Sequence, residues 1–225
     1  MPYSIDRPFA GALALLVSSL GNPAHAAGIP TLQEVRVTPS QQDLIGVADS
    51  ASEGTVTAAQ LRNRPLLRPA EALETVPGLI VTQHSGDGKA NQYFLRGFNL
   101  DHGSDFATHV MGMPVNMASH AHGQGYMDLN FLMPELVQGI AYRKGVHAAE
   151  DGDFATTGSA RIDYRRRLAQ PFVELGLGRN GYQRLLAAGS RALGEEGDSR
   201  QLLVAAELMD YDGPWAQPEN LQRRN

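Results

Sequence analysis

The chain has 225 residues, with 19 Lys and Arg against 24 Asp and Glu and a formal net charge of −5 at pH 7. Such mild acidity offers no basic field to draw nucleic acid, so no nucleic-acid partner is expected. There is no cysteine, which excludes a disulfide framework, a thiolate nucleophile and a Cys-based zinc site.

At the amino end Arg7 is positive, Phe9 to Leu20 is apolar apart from small residues and two serines, and Ala24-His25-Ala26 sets small side chains at alternate positions. The pattern predicts a secretory signal peptide over residues 1–26, cut after Ala26. A membrane-spanning helix is the competing reading. The apolar run is too short for it, since roughly 20 residues are needed to cross about 30 Å of hydrocarbon, and Gly21 and Pro23 follow.

Residues 27–57 are polar, with Pro39, paired glutamines and scattered Ser, Asp and Gly, a composition that gives no reason to fold alone. Within them Leu32 to Thr38 (LQEVRVT) alternates β-branched with polar side chains. This is the pattern of a strand with no visible partner, able to add to another protein's sheet edge. A featureless linker is the alternative, because so short an alternation also arises by chance.

Residues 58–165 have the length of one mixed α+β domain. A helix is predicted over Pro69 to Thr75, ended by Pro77-Gly78. Strands are predicted at Leu79 to Gln83, Gln92 to Arg96, Thr108 to Val115, Gly139 to Arg143 and Ala160 to Tyr164. Glycine-rich loops, notably residues 85–91 and 119–125, suit tight turns between them.

Over residues 166–225 the texture changes to alternation. Phe172 to Gly178 and Tyr182 to Ser190 flank the turn signal Arg179-Asn180-Gly181 and predict a β-hairpin. A polar connector leads to Gln201 to Tyr211, where Leu203, Ala205 and Met209 share a parity that Glu207 interrupts. That strand has the roughly 9–11 residues of a tilted membrane-spanning strand. Three such strands cannot close, and lipid does not solvate an open edge, so the chain reads as incomplete. A soluble hairpin packed on the preceding domain is the alternative.

No catalytic constellation emerges: there is no G-x-S-x-G, H-E-x-x-H or P-loop, and Gly86-Asp-Gly88 lacks a third glycine and a following helix. Asp101, Asp105, Asp151 and Asp153 read as turn formers. Neither enzymatic activity nor a cofactor is expected. His102, His109, His120 and His122 are interleaved with Met111, Met113, Met117 and Met127. Imidazole and thioether are copper ligands, and imidazole also suits zinc and nickel. His120 and His122, two apart, would point to one side of an extended segment. Ordinary polar histidines and gap-filling methionines are the alternative.

The helix and turn Arg68 to Gly78 (RPAEALETVPG), the strand Leu79 to Val81 and then Tyr93 to Phe98 (YFLRGF) resemble the plug opening of the TonB-dependent receptor family. Met111 to Val115 (MGMPV) is similar to that family's D-G-x-P-V turn, with Met111 where aspartate is usual. Pro134 to Gly145 resembles its V-E-x-I-E-V-x-R-G-P segment, with Val146 in place of the proline, and Gly158 to Asp163 its last plug strand.

The resemblance implies an α+β plug over 58–165 and then, over 166–225, the first strands of an antiparallel transmembrane β-barrel in the outer membrane. It makes Glu34, Val35, Arg36, Val37 and Thr38 a TonB box within a flexible periplasmic segment. It also implies active import of a scarce solute, such as a siderophore or metal chelate, with TonB, its inner-membrane motor complex and outer-membrane lipid as partners. The His/Met loops would then be the plug's outward-facing apices, with His102, His109, Met111, Met113, Met117, His120 and His122 as candidate substrate or metal contacts. Inside a polar lumen, a plug needs a small core, for which Ile80, Phe94, Leu95, Phe98, Val110, Leu136 and Ile140 are candidates. Arg96, Arg143, Arg161 and Arg165 to Arg167 would face barrel-wall carboxylates or remain solvated surface charge. A free periplasmic plug-like binding module, or a non-functional truncated receptor, is the rival.

Overall fold

The computed structural model describes residues 47–83, 88–194 and 200–225, all within the unit Pro39–Asn225. The predicted signal peptide and Glu34 to Thr38 lie outside the described residues.

Strands β1 (Val47–Ala48) and β2 (Glu53–Thr57) form a hairpin. Helix α1 (Ala58–Arg62) starts at Thr57 because of a capping box. The Thr57 hydroxyl accepts the Gln60 N–H, and Gln60 Oε1 accepts the Thr57 N–H, satisfying two amides that the first turn leaves unpaired. The predicted helix Pro69–Thr75 is a 3-10 helix with proline in its first turn. Glu71 caps it by accepting the amides of Leu67 and Arg68, and Gly78, at φ 85°, turns the chain out of it.

A three-stranded meander follows: β3 (Leu79–Thr82), β4 (Gln92–Leu95) and β5 (Phe98–Leu100). Then come β6 (Phe106–Val110), β7 (Met113–Pro114), β8 (Val137–Lys144) and β9 (Gly158–Tyr164). With the first hairpin they make a six-stranded sheet in the order β1-β2-β8-β9-β6-β7, in which β6 and β9 run parallel. The single strand expected over Thr108 to Val115 is therefore corrected to a hairpin. Met111 and Gly112 both take positive φ (53° and 81°), the signature of a tight turn whose twist matches its strands. With Met111 in place of a turn-forming residue, an apolar run continues through it.

The core lies among these elements and includes Leu73, Tyr93, Leu95, Leu100, Phe106 and Ile140, all fully buried. Each fully buried aliphatic or phenylalanine side chain contributes about 1.5–3 kcal/mol. Burial also pushes the Tyr93 hydroxyl above the usual phenol range. Of the expected core residues, Leu95, Val110, Leu136 and Ile140 are buried, whereas Ile80 is 54% and Phe98 61% exposed. Parity explains Ile80: Leu79 and Val81 take the inward face of β3, so Ile80 and its cross-strand partner Phe94 turn the other way.

The last sheet is an antiparallel meander of β10 (Phe172–Leu177), β11 (Gln183–Ala192), β12 (Gln201–Tyr211) and β13 (Leu221–Arg224). The sequence reading anticipated the first three and missed β13. Register puts Val173, Leu175, Leu185, Ala187, Val204 and Ala206 on one face. Arg184, Leu186, Ala188 and Glu207 lie on the other, turned toward the rest of the chain. Leu186 and Ala188 pack there with Met133, Leu136 and Leu168. The parity that Glu207 interrupts is thus the inward one.

Candidate functional site

Ala90 holds two rings at once. Its N–H donates to the Tyr126 hydroxyl at 3.0 Å and its carbonyl accepts from His102 Nδ1 at 2.8 Å. A carbonyl only accepts, so this bond assigns the neutral ring's proton to Nδ1 and its lone pair to Nε2.

His102 is 2% exposed and sits in the turn Asp101–Gly103 at φ 51°, ψ 32°. This left-handed conformation costs a residue with a Cβ about 1–2 kcal/mol. It is held by the Ala90 contact, by the His102 N–H donating to Gln92 Oε1 at 3.2 Å and by the His102 carbonyl accepting from Met127 N–H at 2.8 Å.

The loop carrying the other histidines is closed at its base. Met117 N–H donates to the Tyr126 carbonyl at 3.0 Å and Gly125 N–H to the Met117 carbonyl at 2.7 Å. Asn116 ties this base to the preceding turn. Its Oδ1 accepts from Thr108 N–H at 2.7 Å, and its Nδ2 donates to the carbonyls of Gly103, Phe106 and Gly125.

From that frame His122 Nε2 lies 3.7 Å from one Asp101 oxygen, and His102 Nε2 lies 3.9 Å from the other. The two imidazoles meet edge to face with centroids 4.6 Å apart. His120 stacks on Tyr126 at 4.0 Å, and its Nδ1 accepts the His122 N–H at 3.2 Å. The chain therefore bends between His120 and His122. The expected extended segment is corrected to a bend; both rings still lie against Tyr126, and of the two only His122 reaches Asp101.

The structure thus brings together His102, His120 and His122. His109 and Met113 fall on β6 and β7 rather than in loops, with Met111 in the turn between them. His109 Nδ1 is buried with no hydrogen-bond partner among the described residues. Met111 Sδ accepts from Tyr164 N–H at 3.0 Å, while Met113 and Met117 are exposed. Two participants were missed, Asp101 and Tyr126. Only the adjacency of Asp101 to His102 signalled the first in the sequence, and nothing signalled the second.

Two ion networks frame the domain. Asp151, read as a turn former, is 2% exposed and bridges Arg143 at 2.9 Å and Arg161 at 3.1 Å. Its hydrogen bond raises the Arg143 guanidinium above its ordinary range. Arg96 donates to the Ser52 hydroxyl. Arg143 and Arg161 thus pair with a carboxylate of their own domain, and Arg161 remains exposed. Arg166 and Arg167 are exposed. The second network joins the plug-like domain to the meander. Arg184 on β11 donates a two-pronged fork to Glu135, at 2.6 and 3.1 Å, and its Nε to Glu207 on β12.

The model of the TonB-dependent receptor plug domain matches residues 47–159. Among solved structures, the chain is similar to a variant of the ferric enterobactin receptor PfeA from Pseudomonas aeruginosa in complex with enterobactin, at 21% identity and a TM-score of 0.55, covering 72% of this chain and 25% of that one. It is similar to the siderophore receptor PirA from Acinetobacter baumannii at 18% identity and 0.53, covering 72% and 25%. A third similar structure is the copper transporter OprC, at 20% identity and 0.54, covering 75% and 25%. The chain spans about a quarter of the length of these proteins. At such identities the likeness establishes the fold: a mixed α+β plug followed by antiparallel strands that match the start of a receptor barrel. With about half of its residues matched by the plug model, this chain belongs to the TonB-dependent receptor plug domain family.

Proposed function

We propose that the chain is the amino-terminal part of an outer-membrane receptor that imports a scarce solute, a siderophore or metal chelate, with energy delivered by TonB and its inner-membrane motor complex. One observation carries this reading, the two-sided character of the meander. Its outward face carries an apolar band across β10 to β12, including Val173, Leu175, Val204 and Ala206, with Gln183, Arg191 and Asp210 toward the strand ends, and β13 adds Gln222 and Arg224 beside Asp210 and Leu208. Its inward face carries Arg184, which donates both to Glu207 beside it and to Glu135 of the plug-like domain. Lipid on one side and a polar plug on the other account for that division. Residues 166–225 then begin the barrel, residues 58–165 plug it, and residues 1–26 direct export. Glu34 to Thr38 add as a strand to TonB. The face carrying His102, His120 and His122 meets the solute.

The test is uptake by a strain lacking the gene, restored with the full-length receptor, in tonB-positive and tonB-negative backgrounds. Radiolabelled ferric siderophores and copper, zinc and nickel chelates form the panel. Uptake of at least one solute that needs both genes is expected. Uptake independent of TonB, or none across the panel, sinks the proposal.

A further inference from the structure

We infer that Asp101, His102 and His122 form a binding site for a divalent late first-row transition ion, of the Zn(II) and Ni(II) kind. As coordination chemistry this stands on the geometry; only the ion's role as cargo rests on the import reading.

One ligand atom from each residue already lies within 4.8 Å of the other two. Around a tetrahedral ion with bonds near 2.0–2.1 Å, ligand atoms lie about 3.4 Å apart, so the set must contract by up to about 1.4 Å. The contraction falls to the side chains able to make it. Asp101 and His122 are exposed, and rotation about their side-chain bonds suffices. His102 is the fixed post. Its Nδ1–H bond to the Ala90 carbonyl is the outer-shell contact that orients a metal-binding imidazole and directs its Nε2 lone pair to the ion. The left-handed backbone at His102 sets that ring beneath the loop, and such strain persists only where surrounding bonds over-determine it.

The ligand types select the ion. Two imidazoles and a carboxylate suit Zn(II), Ni(II) and Cu(II), whereas Cu(I) prefers thioethers. Three protein ligands, two of them exposed, leave at least one position to solvent, through which the ion is taken from its hydrated form or from a carrier. His120 is a positioning residue here: it stacks on Tyr126 and accepts the His122 amide, holding the loop so that His122 faces Asp101.

The experiment uses the full chain in detergent without a polyhistidine tag. Zn(II) affinity is measured by calorimetry in chelator-buffered solution, and coordination by the visible ligand-field absorption of bound Co(II). One ion per chain is expected, with the intense bands of a four- or five-coordinate site. His122→Ala and Asp101→Asn should each weaken binding at least about tenfold, whereas His109→Ala leaves it unchanged. Both weakening substitutions are at exposed side chains, so the outcome does not depend on whether a His102 variant folds. Absence of binding, an affinity unmoved by both substitutions, or an equal loss in His109→Ala overturns the site and leaves His102 as a core histidine sealing the loop. A separate arm follows TonB-dependent uptake of radiolabelled zinc and nickel. Failure there with binding intact overturns the role as cargo alone, and the site stands.

Discussion

Arg184 Nε and Glu207 Oε1 lie 2.6 Å apart between adjacent strands, and the carboxylate is 1% exposed. Removing the guanidinium strips a buried charge of its main partner, so Arg184→Met is expected to cost about 3–5 kcal/mol. Glu135→Gln is the milder change, because Arg184 keeps Glu207, and should cost no more than about 2 kcal/mol. Urea unfolding in detergent, followed by Trp215 fluorescence, checks the order. Equal losses would show that the junction is not organised around Glu207.

The outward face of β12 yields a prediction graded by depth. Ala206 sits mid-strand and Leu202 near its start. Arginine facing lipid costs about 2–4 kcal/mol at the bilayer midplane and about 0–1 near the interface. Ala206→Arg should therefore sharply reduce assembled receptor in outer-membrane fractions, while Leu202→Arg leaves most of it. Indifference to both substitutions would mean that this face does not meet lipid.

Two backbone positions call for opposite changes. Met111 holds φ 53°, a conformation asparagine tolerates better, so Met111→Asn should stabilise the domain by about 0.5–1 kcal/mol. A Cβ on Gly158 would collide with the Arg143 carbonyl and crowd Lys144 Cα and Phe106. Gly158→Ala should cost about 2–4 kcal/mol, because main chain rather than a side-chain tip must move. Thermal melts of both variants beside the parent decide each sign.

If Glu34 to Thr38 add as a strand to TonB, as proposed, the contact depends on backbone donors more than on side chains. Val35→Pro and Val37→Pro should abolish solute uptake, and alanine at either position should preserve most of it. Proline variants that import at the parental rate would place the coupling segment elsewhere.

Much of the architecture was legible where punctuation was strong. Pro69–Thr75 and Gln201–Tyr211 fall on the bounds read from the sequence, the first set off by Pro69 and Pro77-Gly78. Which face of β12 points outward was not legible, because the strand carries apolar residues on both parities and only the partner of Glu207 tells them apart. The strand at Leu221–Arg224 escaped because its sequence, LQRR, shows no apolar alternation. For the candidate site, the ligand types were legible but not their arrangement. Asp101, His102, His122 and Tyr126 converge through Ala90 and Asn116, contacts with no sequence spacing to betray them.

The strand order has a mechanical consequence. β1 is the terminal strand of its sheet, held to β2 by two residue pairs, and β2 is held to β8 by five. A load entering from the amino side and directed across the strands would stress these hydrogen bonds in sequence, like the teeth of a zipper, rather than all together in shear. β1 would part first. β2 would follow from Glu53 toward Thr57, surrendering the Glu53–Arg143 ion pair early. Behind it β8, β9 and β6 remain joined to one another, and Asp151 still bridges Arg143 and Arg161 on two of them. A pull in that direction would open a narrow margin of the domain before it reached the interior.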